Sequence, residues 1–194
     1  MLRHRLVLIL TSVLFFSVSL LWLAQTRAIG LHGDEAWLGL LGHKFLTTGI
    51  DQLFGMNRYT GILQSSLAAL SFNFLGIGII QLRLPGVVCN ILALFLFINA
   101  LRKRKEFAQA CLGLLFFGQS GLYLIYGSIA WEVCSLTLFF LVASSNALFR
   151  AVQAPSELSR RWALVFLVAS VAGVYNHILF SSFLVASLLG TLLW

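Results

Sequence analysis

From Leu6 to Gln25 the chain runs for 20 residues without a single charge, and most of those residues are apolar. A helix of that length matches the roughly 30 Å hydrocarbon layer of a bilayer, and further apolar stretches follow it. With 60 % of the 194 residues apolar, 10 % charged and a mean hydropathy of +0.96, the composition excludes a soluble globular domain. Arg3 and Arg5 ahead of the first run imitate a secretory leader. Leader cores are about 7–15 residues long and close on small residues, whereas this run ends in Trp22, Gln25 and Arg27, so a retained first span is expected.

The hydropathy pattern predicts an all-α polytopic membrane protein, a single module over residues 1–194 with spans at about 6–26, 84–101, 107–126, 131–149, 162–177 and 179–194. The segment 61–80 is weakly apolar, and its placement decides the topology. If it lies along the interface, Arg3, Arg5, Arg102 to Lys105, Arg150, Arg160 and Arg161 all fall on the cytoplasmic side. That gives nine basic residues inside against four outside, Arg27, Lys44, Arg58 and Arg83. Residues 27–83 then form one outer loop with juxtamembrane helices at 34–48 and 61–80. The first of these is read as amphipathic, with Trp37, Leu40, Leu41 and Phe45 on one face and Glu35, His43 and Lys44 elsewhere. This orientation corresponds to a multi-pass membrane protein with a cytoplasmic N-terminus and residues 27–83 on the outer face.

The net charge of +7 does not signal nucleic acid, because the 13 basic residues are scattered among apolar runs. Cys89, Cys111 and Cys134 lie within such runs at spacings that fit no metal site or redox pair. No metal or cofactor is expected.

Of six acidic residues, Glu106 and Glu157 sit beside basic neighbours and read as solvated partners. Asp34 and Glu35 follow Gly30 and Gly33 at a helix start, where the choice is between helix capping and chemistry. Glu132 beside Trp131, and His177 in Tyr-Asn-His, stand at outer ends of spans, as interfacial or packing residues or as contacts for a substrate. Arg58 and Arg83 are basic residues on the side the orientation rule disfavours. They read either as a solvated charge and a snorkelling residue, or as guanidinium groups that meet a phosphate at the lipid surface.

Four segments in order, GDEAWLGLLGHKFLTTG, RYTGILQSSLAAL, LRLPGVV and YGSIAWEVCSLTLFF, resemble the bacterial protein-mannosyltransferase-like glycosyltransferases, which use polyprenyl-phosphate sugars. The similarity extends over nearly all of the chain. Its most specific element is the Asp-Glu pair after the first span combined with Arg-Leu-Pro about fifty residues on.

The resemblance implies a C-superfamily fold whose first outer loop carries juxtamembrane helices and the catalytic acid. It implies transfer of a hexosyl or pentosyl group from a polyprenyl-phosphate donor to a lipid, glycan or protein acceptor of the cell envelope. Asp34 would be the base that deprotonates the acceptor, with Glu35 positioning it or holding the acceptor. Arg83 would support the site or the donor phosphate, and Arg58 would meet that phosphate. Glu132 matches an acidic position of the family, while His177, Lys44 and Tyr59 are further substrate contacts. Relatives have more spans and a C-terminal outer domain, whereas this sequence stops in an apolar run at Trp194. A truncated form, or a half that works with a second subunit, is therefore expected. A non-catalytic polyprenyl-phosphate-binding or scaffold protein is the alternative, and a transporter the weaker third reading, since the charges avoid the midplane.

Overall fold

The computed structural model describes residues 2–103, 107–131 and 133–192. Among these the chain is helical and has no strand. Its elements are α1 (Leu2–Ala28), α2 (Gly33–Thr48), α3 (Leu63–Leu75), α4 (Ile79–Lys103), α5 (Phe107–Gln119), α6 (Gly121–Tyr126), α7 (Thr137–Gln153), α8 (Ser156–Asn176) and α9 (Phe180–Leu192). Among the described residues three helical stretches are long and apolar enough to cross a membrane: Leu8–Ala28, Ile79–Leu101 and Ser156–Asn176. At 1.5 Å per residue the first rises about 32 Å.

Helix α1 packs on α4 and α5, α4 on α7, and α7 on α8, while the α2–α3 pair leans on α4 through α3. The central cluster is Val18, Trp22, Val87, Leu94, Ile98 and Leu114, all buried. Trp22 fits there because Gly127 leaves room for its indole, whose Nε1 donates to the Tyr123 carbonyl at 3.0 Å. A second cluster, Leu41, Phe45 and Ile62, joins α2 to the start of α3. The outward face of α1 is a different surface, where Ile9, Val13, Phe16 and Leu20 are each more than half exposed. An unbroken apolar face of this kind is rare on a protein bathed in water.

Several sequence expectations change. The segment 61–80 is not one helix: α3 covers Leu63–Leu75 and ends where Gly76 takes φ +82°, a conformation that suits glycine, and residues 79–80 already belong to α4. Thirteen residues rise about 20 Å, too little to cross. The apolar run 107–126 is two helices, interrupted at Ser120. In the run 131–149 helix α7 starts only at Thr137; residues 127–131 and 133–136 form a largely buried, hydrogen-bonded turn region instead. On α2 the buried residues are Glu35, Leu38, Leu41, Gly42 and Phe45, so Glu35 belongs to the inner face. Leu40 is 69 % exposed, contrary to the amphipathic face expected from the sequence.

Candidate functional site

The start of α2 is built around one ion pair. Glu35 and Arg83 are 48 residues apart and both fully buried, and they meet through two parallel hydrogen bonds: Arg83 Nε to Oε1 at 2.8 Å and Nη2 to Oε2 at 2.7 Å. Arg83 also donates from Nη1 to the carbonyls of Thr26 and Ile29, and from Nη2 to that of Gly30, each at 2.8 Å. These are the carbonyls that the end of α1 and the turn after it would otherwise leave unpaired. All five N–H groups of the guanidinium are thereby used.

Glu35 is equally committed. Its Oε1 accepts the Ala130 N–H at 2.6 Å and its Oε2 accepts the His32 N–H at 3.1 Å. Burial acts to raise the carboxyl's pKa, but the bonds from Arg83, Ala130 and His32 and the charge of Arg83 outweigh it. The pKa is held below the ordinary carboxylate value. One buried pair thus ties the end of α1, the start of α2, α4 and the turn at Ala130 into a single junction.

This geometry separates the alternatives for two residues. In this arrangement Arg83 has no N–H left for a phosphate and holds the junction together. The two oxygens of Glu35 are occupied by Arg83, Ala130 and His32, which fixes the start of α2. Proline at 85 shapes the same region, since it removes the helical hydrogen bond to the Gln81 carbonyl just beyond Arg83.

Asp34 is arranged in the opposite way. The N-cap of α2 is His32, whose Nδ1 accepts the Asp34 N–H at 3.3 Å, so Asp34 is inside the first turn and does not cap it. Its side chain is one-third exposed, and among the described residues its ionisable neighbour is the His32 imidazole, at 3.8 Å. Among the described residues no hydrogen bond holds the carboxylate, which stands part-exposed at the edge of the junction. The His32 ring lies 5.8 Å from the Trp131 ring, which lies 6.0 Å from that of Tyr126. Tyr126 in turn lines a cavity of about 170 Å³ with Asn90, Tyr123, Cys134 and Thr137. Inside it Asn90 is buried; its Nδ2 donates to the Gly127 carbonyl at 3.2 Å, and its Oδ1 has no hydrogen-bond partner among the described residues. An aromatic path thus leads from Asp34 to a mostly apolar cavity.

The remaining expected residues gather elsewhere. Lys44 is ten residues further along α2, about 15 Å along the axis, and is paired with Asp51 at 2.6 Å on the surface. The Asp51 pKa is lowered, chiefly by that lysine. Tyr59 and His177 stack edge to face at 5.6 Å, where Thr60 and His177 form an antiparallel bridge that fastens the 49–62 loop to the end of α8. His177 Nδ1 accepts the Leu179 N–H, and burial lowers its pKa, so the ring acts as a neutral fastening of the turn before α9. Arg58 is exposed beside this bridge. Glu132 lies outside the described residues.

Sequence reasoning missed His32, Trp131, Tyr126 and Arg27. The last is exposed in the final turn of α1, and with Thr26, Ile29 and Gly78 to Gln81 it lines a cleft of about 370 Å³ beside the carbonyls that hold Arg83. Its signal was its position between the first span and the Asp-Glu pair. Among the described residues no group of three or more histidine, cysteine, aspartate or glutamate side chains is arranged to hold a metal ion. Comparison with known protein families, curated proteins and solved structures gives no match to this chain.

Proposed function

We propose that the protein is a membrane glycosyltransferase, a multi-pass bundle whose site at the start of α2 moves a sugar from a polyprenyl-phosphate donor to an acceptor hydroxyl at the outer face. The observation that carries the reading is the division of labour in the Asp-Glu pair. Glu35 is consumed by a buried clamp, while Asp34, one residue away, keeps its carboxylate at the surface of that clamp. A general base needs such a combination of fixed backbone and unengaged side chain. The four sequence segments that resemble the protein-mannosyltransferase-like family supply the reaction class.

The chemistry is one displacement. The acceptor oxygen forms a bond to the anomeric carbon as the bond from that carbon to the phosphate oxygen breaks. Asp34 takes the hydroxyl proton, and polyprenyl phosphate leaves with the bonding electron pair. With Arg83 fully engaged, the cation for that phosphate is assigned to Arg27, exposed on the cleft beside the clamp. The aromatic path through Trp131 and Tyr126 offers apolar surface for the first isoprene units, and stacking faces for a sugar.

Binding and turnover of a labelled polyprenyl-phosphate sugar, measured on the natural protein and on Asp34→Asn, test the proposal. Asn at 34 is expected to leave donor binding within a factor of about two and to lower transfer at least ~100-fold, the lower end of the range for a general base. Equal binding with no transfer by either form would favour the non-catalytic lipid-carrier protein.

A further inference from the structure

The end of the bundle opposite the α2 junction holds a second, unrelated site. Ala100, Asn146, Phe149, Arg150, Gln153, Leu158 and Trp162 line a hollow of about 320 Å³ between the ends of α4 and α7 and the start of α8. A second hollow of about 260 Å³, walled by Phe97, Leu101, Leu141 and Val142, shares Ala100, Asn146 and Phe149 with the first. The two form one groove, polar at the helix ends and apolar along the helices.

Arg150 governs the polar end. Its guanidinium lies 4.4 Å over the Trp162 ring, and its Nε donates to Asn146 Oδ1 at 3.1 Å. No described residue accepts from its two terminal nitrogens, so four of its five N–H groups remain for a ligand. Stacking on an indole holds the guanidinium plane still and is compatible with bidentate contact to an oxyanion. The surrounding charge is complementary: Arg160 and Arg161 are exposed in the second turn of α8, and Glu157 is the acid on its first turn.

We propose that this groove binds an anionic phospholipid, with its phosphate on Arg150 and the upper part of one acyl chain along Phe97, Leu101, Leu141 and Val142. A free phosphate would use the arginine but not the apolar wall, and a neutral hydrocarbon the wall but not the arginine. The continuity of the two selects a lipid that has both. On the charge distribution of the sequence, this end faces the cytoplasmic leaflet.

Native mass spectrometry of the full chain in detergent, titrated with phosphatidylglycerol or phosphatidylcholine, tests the assignment without reference to any sugar transfer. Phosphatidylglycerol is expected to bind at least tenfold more tightly than phosphatidylcholine. Arg150→Gln is expected to remove that preference, and Ala100→Trp, which fills the apolar part and keeps the arginine, to weaken binding of phosphatidylglycerol at least tenfold. Should Arg150→Gln fail to fold, the Ala100→Trp protein and the lipid preference of the unaltered chain still decide. Equal affinity for the two lipids, retention of binding in Ala100→Trp, or displacement of the lipid by millimolar inorganic phosphate would overturn the proposal.

Discussion

Arg83 and Glu35 carry the sharpest energetic statement about this molecule. A buried pair that loses one member leaves the other as an uncompensated charge, at a cost of about 3–5 kcal/mol. Arg83→Ala additionally strips acceptable donors from three carbonyls at the end of α1. Its effect should therefore appear as a lower melting temperature and a lower yield of folded protein. A normal melting temperature with weakened donor binding would return the arginine to the phosphate. The pH dependence follows from Glu35. Its pKa in the folded protein is lowered, so its contribution to stability is fully present above the ordinary value of 4.5 and is lost as pH falls through the folded value. Thermal unfolding followed from pH 6 downward should show that loss in the natural protein and a flatter profile in Glu35→Gln. At this scale the importance of the Asp-Glu pair was legible in the sequence, because two acids beyond a membrane-length run are conspicuous. Which acid would be spent on structure was not legible, since it depends on a partner 48 residues away. His32 escaped notice because histidine is an uncommon cap, although it stands three residues before Glu35 as a capping pair requires.

Between elements the decisive contacts involve small residues and turns that hydropathy does not see. The runs 107–126 and 131–149 read as two uninterrupted spans, since hydropathy reports the preferred solvent and carries no information on backbone dihedral angles. The break at Ser120 and the non-helical residues 127–131 and 133–136 bring Ala130 to Glu35 and Ser135 Oγ to Gln64 Oε1 at 3.0 Å. Backbone away from helical form is tolerated among apolar helices where protein groups satisfy it, as they do here. Gly127 belongs to this stretch, and a Cβ on it would meet Trp22 Cε2 at 2.5 Å. Gly127→Ala should cost about 1–3 kcal/mol in thermal or denaturant unfolding, the range for overpacking a core. A change below a few tenths of that would mean the indole moves freely. The extent of α2 was read correctly to within a residue, but its inner face was not. With Gly39, Gly42 and several leucines around the helix, periodicity alone did not select the face that meets α3.

For the whole molecule, the all-helical character and the long apolar helices follow directly from composition and run length, whereas the pairing of helices does not. Orientation rests on the arrangement of basic residues, and labelling tests it. In a background with Cys89, Cys111 and Cys134 replaced by alanine, cysteines at Thr48 and Ile77 flank α3. Both should react with an impermeant maleimide from the same side of sealed membranes, with a cysteine at Glu157 reacting only from the other. Labelling of Thr48 and Ile77 from opposite sides would make α3 a span and reverse the orientation of every later helix. The account as a whole ties Asp34, and not Glu35 or Arg83, to chemistry at the outer face. Its most direct test is the rate of polyprenyl phosphate release from a labelled donor in membranes carrying the natural protein, Asp34→Asn or Arg27→Ala. The account predicts release by the natural protein, at least 100-fold slower release by Asp34→Asn, and a raised KM for donor in Arg27→Ala. Release at the natural rate by Asp34→Asn would contradict it.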